Sequence, residues 1–224
     1  FYKCAELEDV TFGSNVRMVG DRAFYGCTSL RAAKLPSSVE KIGNYAFYKC
    51  ASLSSVQLGN TKSIGDYAFY GCSSLTELQL PSSLISIGTQ AFRNCTSLKS
   101  IYLRANISQI GAHAFYGCNM MTIYTDATVA QSGWNMRWNS SYRPVVWGCT
   151  FSADGYLVSF VYTETSITDK TSNISLSDPY REGFSFLGWS TSASGTAEFT
   201  NADLDTAPSG TPLYAAWRQP WAAK

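Results

Sequence analysis

The sequence predicts a mainly β chain in which a repeat solenoid is followed by a small, separate β module. Three observations lead there. Cys4, Cys27, Cys50, Cys72, Cys95 and Cys118 recur at intervals of 23, 23, 22, 23 and 23 residues, and a fixed period of roughly 20 to 50 residues marks stacked repeat units. Each cysteine is followed by apolar residues with the alternation of a strand. Beyond residue 125 the period stops and a different set of aromatic and turn residues takes over.

The repeat is legible word by word. Ala23 to Leu30 reads AFYGCTSL, Ala46 to Leu53 AFYKCASL, Ala68 to Leu75 AFYGCSSL and Ala91 to Leu98 AFRNCTSL; Phe1 to Leu7 is a truncated copy and Ala114 to Met121 a decayed one. An L-x-x-V-x-L pattern follows each cysteine, as in Leu53, Val56, Leu58 and Leu75, Leu78, Leu80, and its last positions alternate as a half-buried strand does. Pro36-Ser37-Ser38 or Pro81-Ser82-Ser83 then turns the chain, and a second apolar pair precedes a glycine, as in Val39/Ile42-Gly43 and Leu84/Ile87-Gly88. Ile64-Gly65 is the shortened version, which accounts for the single 22-residue interval. One unit cannot bury its apolar side chains alone, whereas stacked units share one continuous core.

Composition bounds the function. The chain has 224 residues, 45% hydrophobic, 14% aromatic and 15% charged, with a formal net charge of +1. Nucleic acid is not the expected partner, because its phosphates call for a concentrated basic face. No apolar run approaches the roughly 18 to 20 residues of a membrane span. Phe1 opens partway through the repeated motif, so the chain reads as a fragment whose upstream portion carries any export signal.

These six registers resemble the BspA-like, or Treponema-type, leucine-rich repeats of bacterial surface proteins, over roughly residues 1–124. The resemblance implies a right-handed leucine-rich-repeat solenoid with a parallel sheet of L-x-x-V-x-L strands on one face and short irregular segments on the other. At about 4.8 Å per coil, the rod would be roughly 25 to 30 Å long.

Residues 126–155 read as junction and cap. They break the period with Gly133 and small polar residues, and Trp134, Trp138 and Trp147 are expected to cover the last coil, since a solenoid end needs a cap. Pro144 to Ser152 and Tyr156 to Tyr162, joined by Asp154-Gly155, read as a β-hairpin. From Tyr156 onward, Val158, Phe160, Asp178-Pro179, Arg181-Glu182-Gly183-Phe184, Phe186, Gly188-Trp189 and Leu213-Tyr214-Ala215-Ala216-Trp217 resemble a Listeria-Bacteroides repeat, the internalin B-repeat module. That resemblance implies a small β-grasp-like sheet over 156–224, with Phe184, Phe186, Trp189, Tyr214 and Trp217 as its core. Residues 1–125 carry 11 Lys/Arg against 7 Asp/Glu, and 126–224 carry 6 against 9; the asymmetry is too dilute to name a partner.

Little in the chain suggests chemistry. The cysteine column could be a metal or redox array, but the period favours buried free thiols packing as small hydrophobes, and no C-x-x-C pair exists to chelate zinc. Cys149, outside the column, is the expected accessible thiol. His113, the single histidine, is expected to face solvent. Asp203 and Asp205 lack the glycine and glutamate of a calcium loop and read as a solvated turn. Glu6, Glu8 and Asp9 read as exposed charge rather than paired catalytic carboxylates. The column Tyr25, Tyr48, Tyr70 and Tyr116 could bind sugar or protein, or could serve packing. No catalytic residue, metal ligand or cofactor is expected, and nucleophile-elbow, phosphate-loop and dinucleotide motifs are missing.

The reading is therefore a non-catalytic interaction protein, secreted or displayed on a bacterial cell surface. If the strands alternate as inferred, Asp9, Thr11, Lys34, Ser55, Gln57, Glu77, Gln79, Ser100 and Tyr102 face outward and form the candidate binding face. The resemblance implies adhesion to host matrix proteins or other cells, with a host or bacterial surface protein or glycan as partner and no membrane insertion. The alternatives are a structural stalk or spacer, or an accessory region of a larger surface enzyme.

Overall fold

The computed structural model describes residues 1–153, 156–162, 166–168, 176–181 and 184–218. The expected Asp154-Gly155 turn, the Glu182-Gly183 pair and the side chain of Asp205 lie outside the described residues. The solenoid's strands are short and come in two series: β1 (Met18–Val19), β2 (Ala32–Lys34), β3 (Lys41–Ile42), β4 (Ser55–Gln57), β5 (Ser63–Ile64), β6 (Glu77–Gln79), β7 (Ser86–Ile87), β8 (Ser100–Leu103), β9 (Gln109–Ile110) and β10 (Thr122–Thr125). The even-numbered strands are the L-x-x-V-x-L segments. β2, β4 and β6 pair in parallel, with Ala33 opposite Val56 and Val56 opposite Leu78, and β8 adjoins β6 before pairing in parallel with β10.

The other face is more regular than short irregular segments would be. β1, β3, β5, β7 and β9 form a second parallel sheet, each strand one coil from the next. The apolar residue before each glycine, such as Ile42, Ile64 or Ile87, points inward while its neighbour points out. The glycine is required by the closeness of the coils. A Cβ on Gly88 would lie 2.5 Å from the Gly65 carbonyl carbon and 2.6 Å from the Asp66 nitrogen, nearer than atoms can pack.

The third edge of each coil is the AFYGC turn. It holds two residues at positive φ: Arg22, Tyr45, Tyr67, Gln90 and His113 in one column, and Lys3, Gly26, Lys49, Gly71, Asn94 and Gly117 in the other. A left-handed tyrosine costs about 1–2 kcal/mol, and a ladder between coils offsets it. Phe47 N–H donates to the Ala68 carbonyl at 2.7 Å, Lys49 N–H to the Tyr70 carbonyl at 2.7 Å, and Phe69 N–H to the Ala91 carbonyl at 2.8 Å.

Inside, identical residues pile up. Phe1, Phe24, Phe47, Phe69, Phe92 and Phe115 stack with centroids 5.1–5.8 Å apart and rings within 9° of parallel. The thiols form a parallel column: Cys50 Sγ donates to the Phe24 carbonyl at 3.0 Å, Cys72 Sγ to Phe47 at 3.2 Å and Cys95 Sγ to Phe69 at 3.2 Å. Each cysteine thus fills a slot and reaches back one coil. All seven cysteines are free. In the shortened coil Thr61 is fully buried, and its hydroxyl returns to the Leu58 carbonyl at 2.6 Å.

Trp138 closes the phenylalanine stack edge-on to Phe115 at 6.3 Å, and Trp134 packs on both Trp138 and Trp147. The chain then gives the solenoid sheet one more parallel strand, β11 (Val145–Val146), beside β10. Next come β12 (Thr150–Phe151), β13 (Leu157–Val161), β14 (Ile167–Thr168), β15 (Ser185–Ser190), a short 3-10 turn at Leu204–Thr206 and β16 (Pro212–Arg218). The antiparallel sheet of the module runs β12-β13-β16-β15, whereas β14 leaves it and pairs antiparallel with β11. The hairpin expected from Pro144 is therefore divided: its first two valines belong to the solenoid and only β12 and β13 form the antiparallel pair.

The module core agrees with expectation at Trp189 and differs at the other four residues. Trp189 is fully buried edge-on to Phe160 at 5.0 Å, among Leu157, Leu176, Leu204 and Leu213. Phe184, Phe186, Tyr214 and Trp217 are only half-buried. Phe184 lies under the Arg181 guanidinium at 4.0 Å, and the aliphatic residues take the central space.

Candidate binding surface

The outward row of the β2–β4–β6 sheet is set by the strand period. In β2, β4 and β6 the middle residue is buried and its neighbours are exposed, so Lys34, Ser55, Gln57, Glu77 and Gln79 stand on one open face. Asp9 and Thr11 are exposed on the first coil, whose backbone forms no ladder strand beside β2.

Ser100 and Tyr102 do not belong to that open face. They are 5% and 7% exposed, because the C-terminal module sits on the outward side of β8 and β10. Tyr102 Oη donates to the Tyr180 carbonyl at 2.5 Å and accepts from the Tyr180 N–H at 2.7 Å. Tyr124 Oη donates to the Ser177 carbonyl at 2.8 Å, and the Ser177 N–H donates to Thr122 Oγ1 at 2.7 Å. Ser177 Oγ also donates to the Met120 carbonyl. Desolvation by burial pushes both phenols above the ordinary tyrosine range, so each stays protonated and able to donate. These contacts explain why β8 and β10 are buried on both faces.

The docked module turns an open sheet into a walled groove. A cavity of about 360 Å³ lies where strands β4 and β6, the Pro81-Ser82 turn and Arg104 meet Ala153 and Tyr180 of the module. Its floor is the row Ser55, Gln57, Glu77 and Gln79; Val56 and Leu80 line it too, but their side chains are 5% and 7% exposed. Arg104 is held at the rim with its guanidinium 5.7 Å from the Phe151 ring centroid. The groove offers amide, hydroxyl, carboxylate and guanidinium groups with little net charge.

The other candidates are structural. Tyr2, Tyr25, Tyr48 and Tyr70 stack at 4.7–5.0 Å, and Arg93 continues the column between Tyr70 and Tyr116, at 5.8 and 4.7 Å from their centroids. Their faces are spent on one another, leaving edges to solvent. His113, expected in solvent, is half-buried because the cap reaches it: Nδ1 lies 2.6 Å from Ser140 Oγ. Among the described residues neither ring nitrogen meets a carboxylate, so this contact fastens the cap to the last coil. Cys149 is corrected likewise: it is 4% exposed, and desolvation raises its thiol well above the ordinary range. Cys4 is the exposed thiol. Asp203 accepts from the Thr200 hydroxyl at 2.8 Å and from the Thr200 N–H, an ordinary turn. Glu8 pairs with Arg31 at 3.2 Å between exposed side chains. Among the described residues no three His, Cys, Asp or Glu side chains converge as metal ligands, and no helix is long and apolar enough to cross a membrane.

Sequence reasoning missed the docking site. The available signal was in the outward row itself, where Tyr102 and Tyr124 stand in the column that holds Lys34, Gln57 and Gln79 in earlier coils.

Residues 1–122 match the BspA type leucine rich repeat region in six copies, and residues 149–216 match the Listeria-Bacteroides repeat domain. Among solved structures, a leucine rich repeat protein of T. pallidum is 38% identical over 49% of this chain and 52% of its own, with a TM-score of 0.48. A leucine rich cell surface protein of Faecalibacterium prausnitzii is 27% identical over 59% of this chain and 34% of its own, with a TM-score of 0.50. A leucine-rich repeat protein of Bacteroides ovatus is 23% identical, covering 65% and 50%, with a TM-score of 0.43. The chain spans between about a third and about half of these solved chains. Comparison with curated proteins returned no match.

Proposed function

The chain belongs to the BspA type leucine rich repeat family, and from that premise we propose that it is a non-catalytic adhesion module at a bacterial surface, gripping a surface protein along the outward β2–β4–β6 face. The observation that carries this reading is the division of the outward row. Its last two strands are sealed by the module, while Lys34, Ser55, Gln57, Glu77 and Gln79 stay open. Extended sheet faces of stacked repeats serve recognition because they present one long surface of adjustable side chains. The surface location rests on the likeness to the F. prausnitzii cell surface protein. The module serves as a wall of the groove as well as a spacer.

The test is to immobilise the whole chain and measure binding of extracellular-matrix proteins and of intact cells. Ala32→Arg with Lys34→Glu, both exposed on β2, should abolish capture. Lys41→Glu with Gln109→Arg, exposed on the second sheet, should leave it unchanged. Equal loss from both pairs, or capture indifferent to the first, defeats the proposal.

A further inference from the structure

We infer that the walled groove is a saccharide subsite that takes a short neutral oligosaccharide, such as the glycan of a glycosylated surface partner; the inference rests on the adhesion reading of the same face. A volume of about 360 Å³ lies at the lower end of small-ligand sites, roughly 300–1,000 Å³. The class of ligand follows from what lines it. Because β4 and β6 alternate, Val56 and Leu78 turn their side chains into the solenoid core. The groove therefore meets Ser55, Gln57, Glu77 and Gln79, with backbone between them.

A peptide side chain seeks an apolar, fully desolvated pocket, since aromatic and aliphatic anchors dominate protein interfaces. This floor gives it little of that kind: Val56, Leu58 and Leu80 line it but are buried, and Pro81 is half-buried. A polyhydroxyl ligand can pair each of its hydroxyls with groups that both donate and accept, and the amides of glutamine do both. Glu77 accepts and Arg104 donates, and together they leave the lining neutral, which selects against sulfated or phosphorylated ligands. Ala153 and Tyr180 of the module complete the lining.

The wall is held in place before any ligand arrives. Tyr102 grips both the carbonyl and the N–H of Tyr180, and the Arg104 guanidinium lies over Phe151. Solenoid and module each contribute residues to the subsite, and Tyr102 is a positioning residue for it.

The experiment is saturation-transfer NMR and calorimetry on the whole chain with maltotriose, chitotriose, mannobiose and N-acetyllactosamine as probes. A sulfated disaccharide and a neutral Ser/Gln-rich peptide serve as controls. At least one neutral sugar is expected to bind, with affinity falling tenfold or more in Gln57→Ala/Glu77→Gln and at least severalfold in Tyr102→Phe. The Lys41→Glu/Gln109→Arg pair, exposed on the second sheet, should leave sugar binding intact. Saturation transfer to none of the four sugars overturns the inference, as does binding indifferent to Gln57 and Glu77, or preference for the peptide or the sulfated sugar. Protein capture sensitive to Lys34 but without sugar binding would sink the subsite alone; sugar binding without protein capture would sink the adhesion reading alone.

Discussion

In the solenoid each interior phenylalanine has a phenylalanine above and below it, and each thiol, glycine and turn amide repeats its neighbour's contacts. In the module one tryptophan, Trp189, gathers Phe160, Phe186 and four leucines around itself, and no contact is duplicated. The first region derives its stability from recurrence between nearest neighbours; the second depends on a single cluster near the lower size limit for an independent core. Damage should therefore spread in the first and stay local in the second.

The largest effect is expected from removing rings. Phe69→Ala should cost about 3–5 kcal/mol and lower the whole solenoid transition in calorimetry, since Phe47 and Phe92 both lose a partner. Trp189→Ala should cost a similar amount but split off an earlier transition belonging to the module. A solenoid transition that falls equally in both variants would erase the contrast. Gly88→Ala comes next: forcing the coils apart should cost about 1–3 kcal/mol as overpacking does. Gly20→Ala, in the same column but with nothing within 4 Å of the added carbon, is the matched control and should be near neutral; equal losses would contradict the close-approach argument.

Tyr102→Phe addresses the seam between the two regions. Leaving the Tyr180 backbone without its partner should cost about 1–3 kcal/mol, seen as faster hydrogen exchange at Tyr180 and quicker proteolysis of the module, with the solenoid transition held. The smallest effect near neutral pH is that of the thiol column. Burial pushes Cys50 up to about 12 from an ordinary 9.0, and Cys72 and Cys95 also rise through burial. The folded chain keeps those protons where the unfolded one releases them. The associated stability is complete below about pH 9 and is lost as pH rises towards 12, with the sign fixed by proton linkage. Urea titrations between pH 8 and 11 should show the midpoint falling, and Cys72→Ala should flatten that fall. In native protein at pH 8, iodoacetamide should label Cys4 first.

The solenoid was legible because each slot is written six times: a residue that departs once, such as Arg93 or Thr61, is interpreted by the column it stands in. The second sheet was harder to see because its strands are two residues long, too short for alternation to register. The groove was half legible. Gln57 and Glu77 follow from the strand period, but Ser100 and Tyr102 obey the same period and are covered by a segment some 80 residues away in chain order, which local patterning does not encode. The module core was legible only in part, for a related reason. Trp189 is central as the sequence predicts, but Leu157, Leu204 and Leu213 share the interior with it and leave Phe184 beside Arg181 at the margin.

Because every interior coil presents matching partners above and below, inserting or excising a whole 23-residue unit leaves each new junction chemically equivalent to the one it replaces. Adding or removing such a unit upstream of β8 would lengthen or shorten the outward sheet by one strand at a time, while the module stays seated on the two coils that carry Tyr102 and Tyr124. The length of the outward sheet is thus separable from the packing that holds each coil to the next.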